Sequence, residues 1–335
     1  MSKVFITGVA GLLGSHLAEH FLKQGWEVVA CDNMLGGYYD NIPKKVKFLK
    51  KDCRDLKAMT KASEGADLVY HCAATAYEGL SVFSPVLVTD NIVQATISVL
   101  TAAVKNKVKR TVICSSMARY GALPTVPFTE DMEPKPQDPY GIGKLVTEKF
   151  LWNLGEIFGM EGVVAVPHNI IGSRQKYDDP FRNVAGIMIN LMLQGRQPII
   201  YGDGSQKRSF SFVQDDVDLL YKFGVEKNAA GEVFNIGPDN EFITINELAV
   251  VIAKQLNFDL KPQYTTGRPQ EVKLANCSAD KIRKFYGYKP ELNLEEGIAS
   301  MIEYIRKRGP RKFKYHLPLE IVNEKTPKTW KNRLF

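Results

Sequence analysis

Cysteine is scarce in this chain and is nowhere paired along it. The five in 335 residues, Cys31, Cys53, Cys72, Cys114 and Cys277, are scattered and odd in number. That pattern excludes a disulfide framework and a C-x-x-C zinc site, and no metal is expected. Long apolar runs are missing too. None approaches the roughly 20 residues of a membrane-spanning helix, and Val4-Phe5-Ile6, directly behind Met1-Ser2-Lys3, is too short for a signal-peptide core. A reducing, cytoplasmic setting is the expectation. Excess basic charge is also absent from most of the chain, despite a net charge of +7: residues 306–335 carry ten Lys/Arg against Glu320 and Glu324, a balance of +8 that leaves the remainder near −1. No nucleic-acid partner is expected. The basic tail, punctuated by Pro310, Pro318 and Pro327, reads as a solvated extension.

What the chain does have is a repeated alternation of short apolar runs with helix-period segments. A buried strand is predicted over 3–7, running into Gly8-Val9-Ala10-Gly11-Leu12-Leu13-Gly14 and then a helix over 15–24. Glycines at such a turn let backbone approach a ligand, and the opening helix aims free N–H groups and its positive dipole end at a phosphate. The spacing is G-x-x-G-x-x-G, and a strand before it and a helix after it are the context a dinucleotide cradle needs. A second strand over 27–31 ends at Asp32-Asn33, where an acid would hydrogen-bond ribose hydroxyls. No Arg or Lys adjoins it to receive a 2′-phosphate, so NAD is favoured over NADP.

The alternation continues. Strands are predicted over 46–49, 68–71 and 111–114, leading to Asp52-Cys53, Cys72-Ala73-Ala74 and Ser115-Ser116 respectively, with a helix over 91–106 between the last two. Strands alternating with helices imply a parallel, doubly wound sheet whose ligands sit at the carboxyl ends of its strands. Every motif named so far falls at such an end. Asp52 and Cys53 are expected near the adenine, and Ala73 and Ala74 beside the pyrophosphate and ribose. His71 is expected to be structural.

The stretch Tyr140-Gly141-Ile142-Gly143-Lys144 follows Asp138-Pro139. Asp138 suits an N-cap and Pro139 a first helical position, so Tyr140 and Lys144 should lie one turn apart on one face of a helix over 140–158. A phenol titrates near pH ~10, and its use as a base near neutrality requires about 4 kcal/mol of anion stabilisation. A neighbouring ammonium supplies part of that. Arg119 is expected at the surface.

Together, Gly8-x-x-Gly11-x-x-Gly14, Asp32-Asn33, Asp52, Ser115-Ser116 before Tyr120-Gly121, and Tyr140-x-x-x-Lys144 resemble the extended short-chain dehydrogenase/reductase family, in particular its nucleotide-sugar epimerases and dehydratases. The resemblance extends through Pro167-His168-Asn169, the run from Ile199 to Phe210, Gly267-Arg268-Pro269 and Leu294-Glu295-Glu296-Gly297, covering about residues 3–306. It implies a Rossmann-type doubly wound parallel sheet (1–166, with 212–237 returning to it), a smaller mixed α/β substrate domain (167–308) and a basic extension (309–335) outside the family pattern. It implies that Ser116, Tyr140 and Lys144 are catalytic, and that Pro167 joins the residues above around NAD. Ala76, Ser116, Asn169, Tyr201, Arg208 and Arg268 would contact a nucleoside-diphosphate sugar, with a UDP-sugar the expectation, the arginines on its phosphates and Tyr201 on its base. Dehydratases of this kind carry an acid–base pair after the serine, decarboxylases a carboxylate and 3,5-epimerases a Cys; here Met117-Ala118 stands instead. That leaves 4-epimerisation as the simplest chemistry. A dehydratase or other net oxidoreductase, and a non-catalytic nucleotide-binding protein acting through its tail, are the alternatives. The resemblance also implies a homodimer. Departures from the family pattern are Val166 before Pro167, Ser209 after Arg208 and Glu271 near a usual Asp.

Overall fold

In the computed structural model, which describes residues 1–335, Lys3–Thr7 forms β1 and Leu12–Lys23 forms α1. Strands β2 (Glu27–Asp32), β3 (Lys47–Lys50), β4 (Leu68–His71), β5 (Arg110–Cys114) and β6 (Glu161–Pro167) join it in a parallel sheet ordered β3-β2-β1-β4-β5-β6. The inner strands are largely apolar and buried because both faces are covered, whereas the edge strand β3, with Lys47 and Lys50, is mostly exposed; successive side chains point to opposite faces. Val4 and Ile6 enter one core with Leu17 and Phe21 of α1, whereas Phe5 enters the other with Met59 of α2 (Leu56–Ala62) and Val99 of α3 (Pro85–Lys105). The fold is a Rossmann-type doubly wound α/β fold.

Two further elements complete the sheet's flanks. Helix α4 (Pro139–Phe158) covers the second face, and the chain later returns with α6 (Val213–Val225) against α1 and β9 (Val233–Ile236) pairing with β6 as the seventh strand. A third core lies outside the sheet. Helices α5 (Val184–Leu193), α7 (Ile245–Leu256) and α9 (Leu294–Arg308) enclose Ile171, Phe210 and Phe212 there. Beside it are two small sheets: β7 (Ile199–Tyr201) with β11 (Gln263–Thr265), and β8 (Lys207–Arg208) between β10 (Ile243–Thr244) and β12 (Leu274–Ala275). Helix α8 (Asp280–Tyr286) packs back on the first core through Ile282.

Helix α3 corrects two expectations. It begins at Pro85, six residues before the predicted start, and it is long and apolar enough to cross a membrane, although half of its apolar window is buried inside the protein. The reason for the early start lies far along the chain. Both carboxylate oxygens of Glu320 accept backbone N–H groups of the first turn, from Leu87 at 2.8 Å and Val86 at 2.9 Å, which caps the helix with an anion. The tail is therefore not a solvated extension. Lys314 N–H donates to the Asp178 carbonyl at 2.8 Å, the Ser84 hydroxyl donates to the Pro318 carbonyl at 2.7 Å, and Leu317, Thr326, Thr329 and Trp330 are buried. Leu317 and Trp330 give the tail a core of its own with Tyr77, Leu80, Phe83 and Phe181.

Candidate active site

A cavity of ≈ 440 Å³ runs along the carboxyl ends of the strands and into the space between sheet and third core. All of the residues predicted to bind cofactor or substrate, and all three predicted to be catalytic, line it.

At one end the backbone itself makes the cradle. Gly8 has φ +77°, and a Cβ there would lie 2.7 Å from the Ala73 nitrogen; a Cβ on Gly14 would lie 2.3 Å from the Gly8 carbonyl oxygen. Only glycine fits either place. The N-cap of α1 is Gly11, with no side-chain cap, so the first-turn N–H groups of Leu12 and Leu13 face the cavity without a competing side-chain acceptor. Asp32, at the end of β2, accepts from Ala10 N–H at 3.0 Å and Met34 N–H at 2.7 Å, which ties the strand end to the glycine turn. Burial pushes its carboxyl up, and those two hydrogen bonds oppose the shift. Asn33 donates to Asp52, which Arg54 also grips through Nε and Nη2 at 2.9 Å each. Those Arg54 bonds hold the Asp52 carboxyl down at about 2. Cys53, Cys72, Ala73, Ala74 and Pro167 complete this end. The cradle, the uncapped helix terminus and a carboxylate at the second strand end fit a dinucleotide. His71 bridges Thr7 Oγ1 at 2.8 Å and Thr96 Oγ1 at 3.0 Å, and burial lowers it to about 3, which keeps it neutral.

The middle of the cavity is built by α4 and the end of β5. Asp138 caps α4 by accepting Gly141 N–H at 2.9 Å, with Pro139 in the first turn. Tyr140, Lys144 and Glu148 then form one stripe, four residues apart, facing the strand end. Lys144 Nζ donates to the Cys114 carbonyl at 2.7 Å and lies 5.9 Å from the centre of the Tyr140 ring. Glu148 accepts from the Ser115 hydroxyl and pairs with Arg119 at 3.1 Å. Ser116 caps the short turn Met117–Tyr120, its Oγ accepting Ala118 N–H at 3.2 Å.

Two expectations fail here for physical reasons. The polypeptide alone does not depress the Tyr140 phenol: burial pushes it above its ordinary value, a hydrogen bond with Ser116 opposes that, and the Lys144 ammonium is engaged by the Cys114 carbonyl. Burial in turn lowers Lys144. Arg119 is buried, not at the surface, because Glu148 meets it from α4 and the Tyr120 ring lies 5.1 Å away.

The far end takes its polar groups from the second half of the chain. Arg268 stacks over the Tyr201 ring at 4.8 Å and pairs with Glu271 at 2.8 Å, while its Nε is buried without a partner. Tyr201 thus has one ring face taken by a guanidinium, and its hydroxyl meets Thr329 Oγ1 of the tail. Arg208 Nη1 donates to the Lys207 carbonyl at 2.8 Å, and Asn169 Nδ2 to the Ser209 carbonyl at 2.9 Å. Ala76 and Glu78 stand opposite, on the stretch after β4. Glu78 is open to the cavity yet surrounded by protein. That desolvation, with Asp138 adding and Arg208 and Arg268 opposing, raises its carboxyl to about 6.

Sequence reasoning missed Arg182, Trp330 and Phe335. Arg182 lies flat over Tyr77 at 4.5 Å and donates to the Gly36 carbonyl at 3.0 Å, bringing a cation to the cavity between its two ends. No motif surrounds it. Trp330 and Phe335 reach the cavity through the fold of the tail, and only their apolar character in a basic segment marks them beforehand.

Known proteins align along almost the whole of this arrangement. A family model described as the NAD dependent epimerase/dehydratase family matches residues 4–237. A putative UDP-glucose 4-epimerase of Methanocaldococcus jannaschii is 31% identical over 310 residues, covering 91% of this chain and 99% of its own. The crystal structure of Thermotoga maritima UDP-glucose 4-epimerase with UDP-glucose has a TM-score of 0.85 at 30% identity, with 91% and 99% covered. The Thermus thermophilus UDP-glucose 4-epimerase complex with NAD has a TM-score of 0.84 at 28% identity, with 91% and 99% covered. In each case about a tenth of this chain has no counterpart.

Proposed function

The chain belongs to the NAD-dependent epimerase/dehydratase family, and on that premise we propose that it is a nucleoside-diphosphate-sugar 4-epimerase acting on a UDP-hexose or UDP-N-acetylhexosamine. The observation that carries this reading is the convergence of Ser116, Tyr140 and Lys144 on one cavity wall, with buried Ala118 beside them offering no acid or base. NAD, when bound, supplies a hydride acceptor and donor. The glycine turn and the α1 terminus would hold its pyrophosphate, Asp32 its adenosine ribose, and Lys144 its nicotinamide ribose. Tyr140 takes the proton from the 4-hydroxyl while Ser116 holds that oxygen, and loss of the C4 hydride leaves a 4-keto sugar. Return of the hydride to the opposite face of C4, with the proton going back from Tyr140 to the 4-oxygen, gives the epimer with no net redox change. Arg208 and Arg268 suit the diphosphate, being forked and permanently charged donors.

The test is to incubate the purified protein with UDP-, GDP- and dTDP-sugars and follow products by NMR. An epimer with no net NADH absorbance supports the reading; a 4-keto-6-deoxy product overturns it in favour of a dehydratase. Glu78 favours that second reading, because a cavity carboxyl at about 6 is poised for proton transfer near neutrality. Its titration has a separate consequence. A folded-state value raised from 4.5 to about 6 means its contribution to stability is full below the unfolded value and lost as pH rises through 6. Glu78→Gln is therefore expected to gain thermal midpoint relative to wild type as pH rises from about 3.5 to 7, roughly one unit either side of those two values, and to keep that gain at higher pH. A pH-independent difference would contradict the raised value.

We further read the protein as a homodimer, because α3 and α4 lie side by side and carry Val86 and Ile142 at 72% and 49% exposure, where the paired helices of a second copy would meet them. A light-scattering mass near that of one 37.6 kDa chain would sink this. Cytoplasmic placement is supported by five free thiols, two pairs of which lie within sulfur contact, Cys72 with Cys114 at 3.8 Å and Cys31 with Cys53 at 3.9 Å.

A further inference from the structure

The tail after α9 crosses the mouth between the two halves of the molecule and is bonded to both. On the sheet side, Glu320 caps α3, and the backbone N–H groups of Glu320 and Ile321 donate to the Phe83 carbonyl at 2.9 Å. On the other side, the Arg311 carbonyl accepts from Asn190 at 2.8 Å and the Leu334 carbonyl from Arg196 at 2.7 Å. Between these anchors the single helical turn Lys328–Lys331 presents its buried face to the cavity end formed by Tyr201 and Arg268. Trp330 is 3% exposed and fixed in orientation: its Nε1 donates to the Pro180 carbonyl at 3.2 Å, and its ring meets Phe181 edge-on at 5.3 Å and Phe83 at 6.0 Å. Gly79 lies between Trp330 and Arg268: a Cβ there would be 3.4 Å from the indole and 2.9 Å from Arg268 Nη1. Thr329 is fully buried, and its hydroxyl meets that of Tyr201.

We propose that this tail is a built-in third wall of the substrate cavity, with Trp330 and Thr329 as specificity-determining residues at its nucleoside-diphosphate end. The proposal rests on the reading that a nucleotide sugar occupies the cavity. Trp330 supplies a rigid apolar surface for the nucleoside, at little conformational cost because its neighbours already lock it. Thr329 positions Tyr201, and through it the Arg268 guanidinium that stacks on that ring and faces the diphosphate. A segment beyond the 4–237 matched by the family model thus contributes to ligand choice.

The test uses the full-length, NAD-loaded protein and UDP as the probe. Of the three tryptophans, Trp26 and Trp152 do not line the cavity, so UDP binding is expected to change tryptophan emission in wild type and to lose that change in Trp330→Phe. Trp330→Ala is expected to raise KM for the nucleotide sugar by roughly 10- to 100-fold with a much smaller effect on kcat, the pattern of lost uniform binding. Should Trp330→Ala fail to fold, Thr329→Val, which exchanges the hydroxyl for a methyl of similar size, is expected to raise KM several-fold, about one hydrogen bond's worth. An undiminished UDP response in Trp330→Phe, or variants that lower thermal midpoint while KM stays at the wild-type value, would overturn the proposal and leave the tail a structural strap. Wild type that neither binds UDP nor turns over any nucleotide sugar would overturn the occupant reading itself, and this proposal with it.

Discussion

Tyr140→Phe is expected to lower kcat by ~10²–10⁴-fold, the usual worth of a positioned acid–base group, while NAD remains bound. The change removes one oxygen and little else. The ring packs against Val88, Ile92 and Ala118, and phenylalanine preserves those contacts, so the fold has no reason to respond. In the polypeptide, burial keeps the phenol above its ordinary value. Proton removal from substrate therefore improves as pH rises, and wild-type kcat is expected to climb through the neutral range, whereas the variant's residual rate should lack that climb. Full activity in Tyr140→Phe would remove Tyr140 as the base. Retained activity with a changed product would instead point to Glu78, the cavity carboxyl that burial raises to about 6.

The parts of the site that could be read in the sequence are those set by neighbours within a few residues. The glycine turn, the uncapped start of α1, the Asp138-Pro139 cap and the i,i+4 relation of Tyr140 to Lys144 are all local, and each is found where local chemistry places it. The doubly wound sheet follows from strand–helix alternation in the same way. What sequence reasoning could not supply depends on partners remote in the chain. The first turn of α3 needs Glu320, 234 residues beyond Val86. Trp330 becomes a cavity residue only once Glu320 and Pro318 have pinned the tail across the cleft. The electrostatics failed for a related reason. A neighbouring ammonium suggests a depressed phenol, but the depth of burial and the Cys114 carbonyl that engages Lys144 are both tertiary.

Glu148→Ala is expected to be the most damaging single change to stability, by about 3–5 kcal/mol, because it strips the partner from a buried cation. The Arg119 and Glu148 side chains are 7% and 3% exposed, and Glu148 meets the guanidinium through Nη2 alone, the Arg119 Nε and Nη1 being buried with no partner. At about 2 °C per kcal/mol for a chain of this size, the thermal midpoint should fall by roughly 6–10 °C. Replacing both partners with apolar residues of similar volume, as in an Arg119→Met, Glu148→Leu double variant, should recover most of that loss, since the cost lies in the unpaired charge rather than in the absence of the pair. Activity should not recover with stability. Glu148 holds the Ser115 hydroxyl and Arg119, on either side of Ser116, and it lies one turn beyond Lys144, so the pair fixes the register of α4 against the end of β5. A stable double variant with a wild-type rate would show that the helix keeps that register without the ion pair; a stable but slow one would make Glu148 a positioning residue for Tyr140 and Ser116.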